Sequence, residues 1–382
     1  MNSTERKEKR YLRRKEKRKQ NKILFLSKYN NFDLLCSPDN LFKAYKKSIK
    51  DVSWKLSIQR YILNALKNIN KSVHDLINEK NITKGFDEFD IFERGRIRHI
   101  KAVHIYERVI QKCLCDQILI PLLSRHLIYD NGASMKNKGL HFSMKRFKVH
   151  LSKYYRKYGN DGYCLSIDFK KYFDNVKHDI LIEKLSKYII DEKIIKLVKS
   201  LIIPFGDNTS LGLGSQISQI FALFYANDLD RFIKEKLKIK YYGRYMDDCY
   251  LIHNDKQYLK YCLDEIIKYC NKIGIIINVK KTQITKINHG VLFLKGIYSV
   301  TNTGKIKCRA VSSGRKRMLR KLYKFKKLLS EKKIRHIDIY TAYQSFRGNY
   351  RKRFNAFHTI RRLDYLYNSL FINEKLDSDN AV

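Results

Sequence analysis

The sequence predicts an α+β fold in which helices predominate and a small antiparallel sheet carries acidic residues. Three observations predict this class. Apolar residues recur every three to five positions in the N-terminal third and again in 301–382, which is the spacing of packed helices. The segment 162–169 alternates apolar and polar residues like a strand, and 241–253 has the pattern of a β-hairpin. Only 3 prolines and 16 glycines interrupt the 382 residues, which favours few loops.

Charge and composition limit the class of function. Lys and Arg number 80 and Asp and Glu 37, a formal net charge of +43, so we expect a polyanionic partner. A hydrophobic content of 44% supports a core and excludes disorder throughout. No apolar run reaches the roughly 20 residues of a membrane span, and the N-terminus is charged. We therefore expect a cytoplasmic protein without a membrane partner. Its 8 cysteines show no CxxC and no zinc-ligand spacing, and we interpret them as reduced cytosolic thiols.

The N-terminal segments are predicted to be mainly helical. Residues 1–30 form a basic tail, which suits either a solvated helix or a nucleic-acid-binding arm. Residues 91–128 combine a basic patch, IFERGRIRHIKAVHIYERVI, with a helix-like stretch that continues through Leu123, and the patch suits a phosphate grip. Helical spacing over 40–81 predicts a core face of Leu41, Tyr45, Ile49, Trp54, Ile58, Ile62, Leu66 and Ile69.

The later segments predict a strand, a hairpin and further helices. The strand at 162–169 contains Asp168 near its end, and a single helix is predicted over 178–202, with another from about Ser218. The hairpin strands Tyr241–Tyr245 and Cys249–His253 bracket a turn with two carboxylates, which cannot be buried unpaired. Two apolar stripes predict a basic helical bundle at the C-terminal end: Leu319, Leu322, Phe325 and Leu329, then Phe357, Ile360, Leu363, Tyr367 and Leu370.

Asp168, Asp247 and Asp248 are acids at strand ends in a strongly basic chain. Two Mg²⁺ ions about 3.5–4 Å apart catalyse phosphoryl transfer, and they need hard oxygen ligands such as carboxylates on adjacent strands. Any one of these residues alone could be a turn or cap residue. Together they form a candidate site for two Mg²⁺ ions, with Mn²⁺ as a substitute.

Five motifs in order make the chain resemble a reverse transcriptase over roughly residues 90–300. The motifs are LSIDFKKYFDNVKHDIL (165–181), similar to the first palm motif; LGLGSQISQIFALFYANDLD (211–230), similar to the template-contacting loop and helix; YGRYMDDCYLI (242–252), the YxDD hairpin; GIIINVKKTQI (274–284), similar to a segment with a triphosphate-binding lysine; and FLKGIYS (293–299), similar to the primer grip. The resemblance implies a right-hand polymerase fold. Its expected domains are a basic N-terminal tail at 1–30, fingers at 31–163, a palm at 164–300 with an interleaved fingers segment at about 177–210, and a helical thumb at 301–382.

The resemblance also implies catalytic and nucleotide-binding residues. Asp168, Asp247 and Asp248 match the metal ligands, and Phe169 and Phe173 match residues at the incoming nucleotide. Phe173 would be a steric gate that excludes the 2′-hydroxyl of a ribonucleotide, the alternative being a core Phe. Further nucleotide-binding candidates are Lys281, with Lys280 as its competitor, and a basic set that would clamp the triphosphate or else bind nucleic-acid backbone generally: Arg96, Arg98 and Lys101.

Template and primer contacts are implied in three places. The motif loop contributes Gly214, Ser218 and Gln219, and the YxDD hairpin contributes Tyr245 and Met246, for which a role in the hairpin core is the alternative. A loop similar to one beside the family's template path contributes Ser134, Lys136 and Lys138, for which simple solvation is the alternative.

The motif variant narrows the resemblance to one lineage. Many relatives carry QGxxxSP where this chain has LGxxxSQ over 213–219, a variant similar to reverse transcriptases of diversity-generating retroelements and to some defence-associated enzymes. Because Leu213 replaces a polar side chain beside the nascent base pair, low fidelity is our hypothesis.

The expected activity is RNA-directed DNA synthesis from deoxynucleotides. Its partners would be an RNA template, an RNA/DNA hybrid and a structured noncoding RNA, joined by an accessory protein or by a second copy of the chain. Two alternatives stay open: a non-catalytic RNA-binding protein, and a polymerase that extends DNA without copying a template.

Overall fold

The computed structural model describes residues 3–93 and 95–372, apart from the side chains of Glu93 and Arg96. In chain order the helices are α1 (Ser3–Tyr29), α2 (Asp33–Cys36), α3 (Pro38–Ser48), α4 (Leu56–Leu63), α5 (Ala65–Ile77), α6 (Ile105–Leu114), α7 (Ile120–Ser124), α8 (Leu140–Tyr158), α9 (His178–Ser186), α10 (Glu192–Ile202), α11 (Gln216–Tyr225), α12 (Asn227–Arg231), α13 (Lys256–Lys272), α14 (Ser312–Ser330), α15 (His336–Arg353) and α16 (Phe357–Phe371). The strands are β1 (Phe86–Glu93), β2 (Arg96–Val103), β3 (Tyr163–Asp168), β4 (Tyr241–Tyr245), β5 (Asp248–His253), β6 (Gln283–Lys286), β7 (Val291–Phe293), β8 (Gly296–Val300) and β9 (Ile306–Ala310).

The chain forms two compact units. The first comprises the residues up to Lys136 together with Phe169–Lys236 and Glu265–Ile277. The second comprises Asn137–Asp168, Leu237–Asp264 and the residues from Asn278 onward. Among the described helices, none is long and apolar enough to cross a membrane.

The first unit is mainly helical and contains one antiparallel hairpin. β1 and β2 pair from Phe86 opposite Val103 to Glu93 opposite Arg96. Its core includes Val109, Ile110 and Leu114 on α6 and Phe221 on α11, all fully buried. Since α6 and α11 bury apolar faces in the same unit, the loop that precedes α11 is held on a packed base.

The second unit contains a four-stranded sheet in the order β4-β5-β3-β6, in which all neighbours are antiparallel. Helix α8 packs against this sheet through Phe147, whose ring lies 4.5 Å from that of Tyr250 on β5 and 4.9 Å from that of Tyr298 on β8. Tyr250 also shares a hydrogen bond of 3.0 Å with His150 of α8. These aromatic contacts fix the back of β5, the strand that begins with Asp248.

Two further layers complete the second unit. Strands β7, β8 and β9 form a three-stranded antiparallel sheet. Helices α14, α15 and α16 bury a core of their own, in which Tyr343 and Tyr367 stack at 4.5 Å around Leu322, Ile339 and Leu363. The predicted basic helical bundle is therefore present as three helices.

Most predicted elements are confirmed, and the exceptions have local causes. The strand ending at Asp168, the hairpin at 241–253 and the FLKGIYS hairpin are all present. The prediction of a single helix over 178–202 is wrong, because this segment forms two helices, α9 and α10. Asp191 caps the start of α10 by accepting hydrogen bonds from the backbone N–H groups of Lys193 and Ile194. The basic patch, whose structure the sequence left open, lies largely in β1 and β2.

The predicted core face over 40–81 is wrong in part. Trp54 is 73% exposed and Leu66 71% exposed, whereas Leu41, Tyr45 and Ile58 are buried as predicted. The segment forms three separate helices, α3, α4 and α5, so its periodicity does not continue across the breaks. Phe357, predicted in the C-terminal stripe, is also exposed.

Candidate active site

The acidic hairpin lies in the second unit, where β4 and β5 meet. Asp168 ends β3 and lies directly opposite Asp248, the first residue of β5, in the antiparallel register. Asp247 occupies the turn, and Met246 before it has φ of 55°, a left-handed conformation that few non-glycine residues adopt. Arg244, which is buried, donates a hydrogen bond of 3.1 Å to the Met246 carbonyl and so supports this turn.

Asn278 and Lys281 bind the carboxylate of Asp168. Asn278 donates to Oδ1 at 2.8 Å, and its backbone N–H donates to the Asp168 carbonyl at 2.8 Å. The Nζ of Lys281 lies 2.7 Å from Oδ1 and 2.6 Å from Oδ2. These charge-assisted hydrogen bonds fix the orientation of a carboxylate that is only 7% exposed.

The electrostatics of the hairpin favour a cation. Burial, reinforced by the negative charges of Asp247 and Asp168, raises the pKa of Asp248 to about 7, whereas Lys281 acts in the opposite direction. A carboxylate held among like charges gains from a nearby positive charge. Lys281 supplies one such charge to Asp168.

The donor set fits magnesium, although no preassembled metal cage is present. Within residues 3–93 and 95–372, no group of three or more His, Cys, Asp or Glu side chains is arranged to hold a metal ion. Two features still suit Mg²⁺: the donors at this hairpin are carboxylate oxygens, and burial together with the nearby charges of Asp247 and Asp168 raises the pKa of Asp248. Asp168, Asp247 and Asp248 are the residues that would hold it.

The two candidate phenylalanines lie in the first unit. Phe169 is buried, and its ring packs 5.3 Å from that of Tyr172. Phe173 is half-buried, and its carbonyl accepts a hydrogen bond of 3.0 Å from Leu211. Tyr172 donates to the carbonyl of Ala222 at 2.5 Å, so the turn that carries Phe173 is tied to α11.

The motif loop before α11 is joined to strand β2 by its backbone. Lys101 donates its N–H to the carbonyl of Leu213 at 3.1 Å. Gly214 has φ of 125°, and a Cβ at this position would lie 3.0 Å from the Lys101 carbonyl oxygen and 3.3 Å from Ile100. Glycine therefore permits both the conformation and the close approach of the two backbones.

Two of the predicted template contacts meet within the first unit. Ser134, which has φ of 45°, donates to the side-chain oxygen of Gln219 at 2.8 Å, and both residues are exposed. Ser218 differs from expectation, because it is 1% exposed and its hydroxyl donates to the Leu211 carbonyl at 2.5 Å. Ser218 therefore supports the loop from inside.

The other candidate residues are divided between the two units. Lys101 lies 3.7 Å from Glu88, and Arg98 is exposed on β2, whereas the side chain of Arg96 lies outside the described residues. Lys136 is exposed in the first unit. In the second unit, Lys138 lies 5.4 Å above the ring of Phe142, and half-buried Tyr245 packs against the aromatic core beneath the sheet.

Sequence reasoning missed three residues that organise these sites. Asn278 lies three positions before Lys281 in the recognised GIIINVKKTQI segment, so its place on the same turn was the available signal. Arg244 directly precedes the YxDD motif in β4, but no sequence signal indicated that this arginine would be buried. Gln111 accepts a hydrogen bond of 2.7 Å from Ser215, the N-cap of α11, and this long-range contact had no signal.

Comparisons with known proteins provide a family and several structural relatives. The reverse transcriptase (RNA-dependent DNA polymerase) family model matches residues 78–303. No curated protein sequence gave a significant match. Telomerase from Candida albicans, solved with a TWJ fragment of telomeric RNA, is 13% identical at a TM-score of 0.45, with 60% of this chain and 46% of that chain covered.

Apo telomerase from Candida tropicalis is 16% identical at a TM-score of 0.45, with 60% of this chain and 49% of that chain covered. The chain thus spans about half the length of these telomerases. The family match confirms the predicted α+β right-hand polymerase fold. Because the matching model covers more than half of the residues, the chain belongs to the reverse transcriptase family of RNA-dependent DNA polymerases.

Proposed function

We propose that this chain copies an RNA template into complementary DNA, with Asp168, Asp247 and Asp248 as ligands for two Mg²⁺ ions. The observation that carries the proposal is the pairing of Asp168 with Asp248 across adjacent antiparallel strands, beside Asp247 in the turn. When bound, the ions would lower the pKa of the primer 3′-hydroxyl and stabilise the leaving pyrophosphate. The chain's own part is to hold the carboxylates in place, which the bonds from Asn278 and Lys281 do for Asp168.

Lys281 is assigned to the charge of the triphosphate. Its side chain is 46% exposed while its Nζ contacts Asp168, so the ammonium group borders both the carboxylate and solvent. A lysine in such a position can neutralise the negative charge that develops on the leaving group or donate a proton to it. The competing residue, Lys280, is exposed, and within the described part of the chain it is Lys281 that pairs with Asp168.

The remaining assignments concern the nucleotide and the nucleic acids. Phe173, on a turn tied to α11, is assigned to the sugar as the steric gate, with Phe169 packing beside the same turn. The triphosphate clamp is assigned to Arg96, Arg98 and Lys101. Template and primer contacts are assigned to Gly214, Gln219, Ser134, Lys136, Lys138, Tyr245 and Met246. Among them, Ser134 and Gln219 are exposed and joined by a hydrogen bond, and Gly214 is exposed in the motif loop.

The biological role that we propose is copying within a diversity-generating retroelement. Leu213, a half-buried apolar residue in the motif loop, supports this assignment and the low fidelity that it implies. A defence-associated enzyme that makes DNA from a noncoding RNA, or without a template, is the second candidate, because the same LGxxxSQ motif is similar to those enzymes. A structured noncoding RNA is a partner in either case.

The test is deoxynucleotide incorporation by the purified full-length chain, with a defined primed RNA, with the primer alone and with no nucleic acid. We expect complementary DNA on the RNA template in Mg²⁺ or Mn²⁺ and none in EDTA. Sequencing the product measures its error rate. Product that forms equally without template would replace the proposal with template-free synthesis, and RNA binding without any product would favour a binding protein.

A further inference from the structure

Helix α1 separates its charges onto different faces. It contains twelve Lys and Arg residues against three Glu, a net charge of +9, and none of its residues is buried. At 100° per residue, Lys7, Arg14, Arg18 and Lys22 share one face. The three glutamates, Glu5, Glu8 and Glu16, all fall outside that face, so it carries unopposed positive charge.

A basic cavity of about 570 Å³ continues this face within the first unit. Arg18 and Lys22 of α1 line it together with Arg125 and Lys187, and none of the described lining residues is acidic. Its volume lies within the roughly 300–1,000 Å³ of typical ligand pockets. Arg18 also lines the groove along Lys7 and Arg14, so the basic face and the cavity are continuous.

Aromatic rings lie among these cations. The guanidinium of Arg125 lies 4.0 Å above the ring of Phe25, and the rings of His126 and Tyr188 lie 4.1 Å apart. The pKa of His126 is lowered by burial and also by the charges of Arg231, Arg125 and Lys22. The cavity therefore combines positive charge with flat apolar surfaces.

The walls of the cavity are held by specific hydrogen bonds. Asn30, just after α1, donates to the carbonyl of Tyr188 at 3.1 Å and accepts from the N–H of Ile190 at 2.8 Å. The N–H of Phe32 donates to Asp191 at 2.9 Å. These contacts fix the C-terminal end of α1 to the segment that carries Tyr188, so two walls of the cavity are held together by hydrogen bonds within the first unit.

We propose that the face formed by Lys7, Arg14, Arg18 and Lys22, together with this cavity, is a docking surface for structured RNA. On this α1 surface the basic face follows the phosphates of a stem, and the cavity receives an unpaired nucleotide. Lys and Arg bind phosphates with release of counterions. Unstacked bases of loops and bulges bind aromatic rings and guanidinium planes, which favours RNA as the occupant.

Two other polyanionic occupants fit the α1 surface less well. A membrane-surface helix needs a continuous apolar face, but between residues 3 and 22 the only large apolar side chains are Tyr11 and Leu12. Regular duplex DNA offers phosphates but no unpaired base for the cavity. The inference goes beyond the proposed polymerase function, since none of these residues is assigned to the chemistry.

The first test compares two triple variants that carry the same change in charge. Lys7→Glu/Arg14→Glu/Arg18→Glu alters the face, and Lys9→Glu/Arg13→Glu/Lys19→Glu alters the rest of the helix. Both sets lie at exposed positions, and circular dichroism checks their folding. Binding of the full chain to a labelled RNA hairpin with a one-nucleotide bulge is measured by fluorescence anisotropy over a salt series.

We expect the face variant to lose affinity about tenfold or more. We also expect the magnitude of the slope of log K against log salt to fall by about three, since each lost phosphate contact lowers that slope by about one. We expect the matched control to lose less than about threefold. Equal losses of RNA affinity in the two variants would show that RNA binds the total charge of α1 irrespective of its face, and would overturn the inference.

The second test separates the cavity from the face. Tyr188→Leu should weaken binding of the bulged RNA by at least about fivefold, the lower range for one stacked base, and leave a fully paired RNA stem unaffected. Because Tyr188 also packs on Phe224, Arg125→Met provides a second variant that keeps an apolar chain over Phe25. Equal affinity for a DNA hairpin of the same sequence, or tighter binding to phosphatidylserine vesicles, would overturn RNA as the occupant. No deoxynucleotide is present, so failure of the polymerase proposal would not alter these results.

Discussion

Replacing Gly214 by Ala should destabilise the first unit by an amount that the structure allows to be worked out. At φ of 125° an added Cβ would be strained, at a cost of about 1 kcal/mol or more. The Cβ would also lie 3.0 Å from the Lys101 carbonyl oxygen, so the hydrogen bond from Lys101 to Leu213 would be strained or lost, at a cost of about 1 kcal/mol. We expect a total of about 2 kcal/mol, or a fall of roughly 4–8 °C in Tm.

Urea and thermal unfolding followed by circular dichroism would measure this change. The matched control is Gly348→Ala, on an exposed face of α15, where the added Cβ meets no other described residue within 4 Å. That variant should gain about 0.5–1 kcal/mol, because alanine restricts the unfolded chain. A Gly214→Ala protein as stable as the wild type would refute the reasoning about this loop and its contact with β2.

Three further predictions concern the chemistry. Phe173→Ala should admit ribonucleotides and raise their incorporation relative to deoxynucleotides by at least about tenfold. This factor corresponds to relief of a clash of about 1.4 kcal/mol between the ring and the 2′-hydroxyl. Unchanged sugar selectivity in single-nucleotide extension would count against the steric gate. Leu213→Gln should lower the error rate on a defined RNA template, and an unchanged error spectrum would remove the support for low fidelity. In EDTA, Asp248→Asn should raise Tm at about pH 8, because the pKa of Asp248 is raised to about 7 and the charged carboxylate therefore destabilises the folded state most above that pH. The gain in Tm should shrink as pH falls from 7 towards 4. A gain in Tm that does not depend on pH would contradict this electrostatic explanation.

The elements that the sequence predicted correctly are those specified by local patterns. The strand before Asp168 and the two short strands around Asp247 are present, and each contributes buried residues to the core that includes α8: Cys164, Tyr241, Tyr250 and Ile252. The division of 178–202 depends on whether one residue, Asp191, uses its carboxylate as a cap, and periodicity does not report that choice. Trp54 lies in the break between α3 and α4, and Leu66 lies in α5 but at an exposed position, so a periodicity carried across the breaks could not predict their exposure.

In the candidate site, the carboxylates could be predicted from the sequence, but the residues that hold them in place could not. The carboxylates could be found because acids at strand ends are conspicuous in a chain of net charge +43. Their supports could not, since the bonds from Asn278 to Asp168 and from Ser215 to Gln111 join residues 110 and 104 positions apart. Ser218 shows the same limit, because a motif places a hydroxyl in a loop but does not say which way it points.

Primer extension on RNA by the wild type, Asp247→Asn/Asp248→Asn and Asp264→Asn tests whether the hairpin carboxylates are catalytic. Asp264 is an exposed acid on α13 in the same unit, so its variant removes a charge without touching the hairpin. We expect the double variant to lose complementary DNA synthesis by at least about 10³-fold, because several kcal/mol of charge stabilisation are lost, while its RNA affinity stays within about threefold. Asp264→Asn should retain wild-type synthesis. Undiminished synthesis by the double variant would contradict the assignment of the hairpin carboxylates to catalysis.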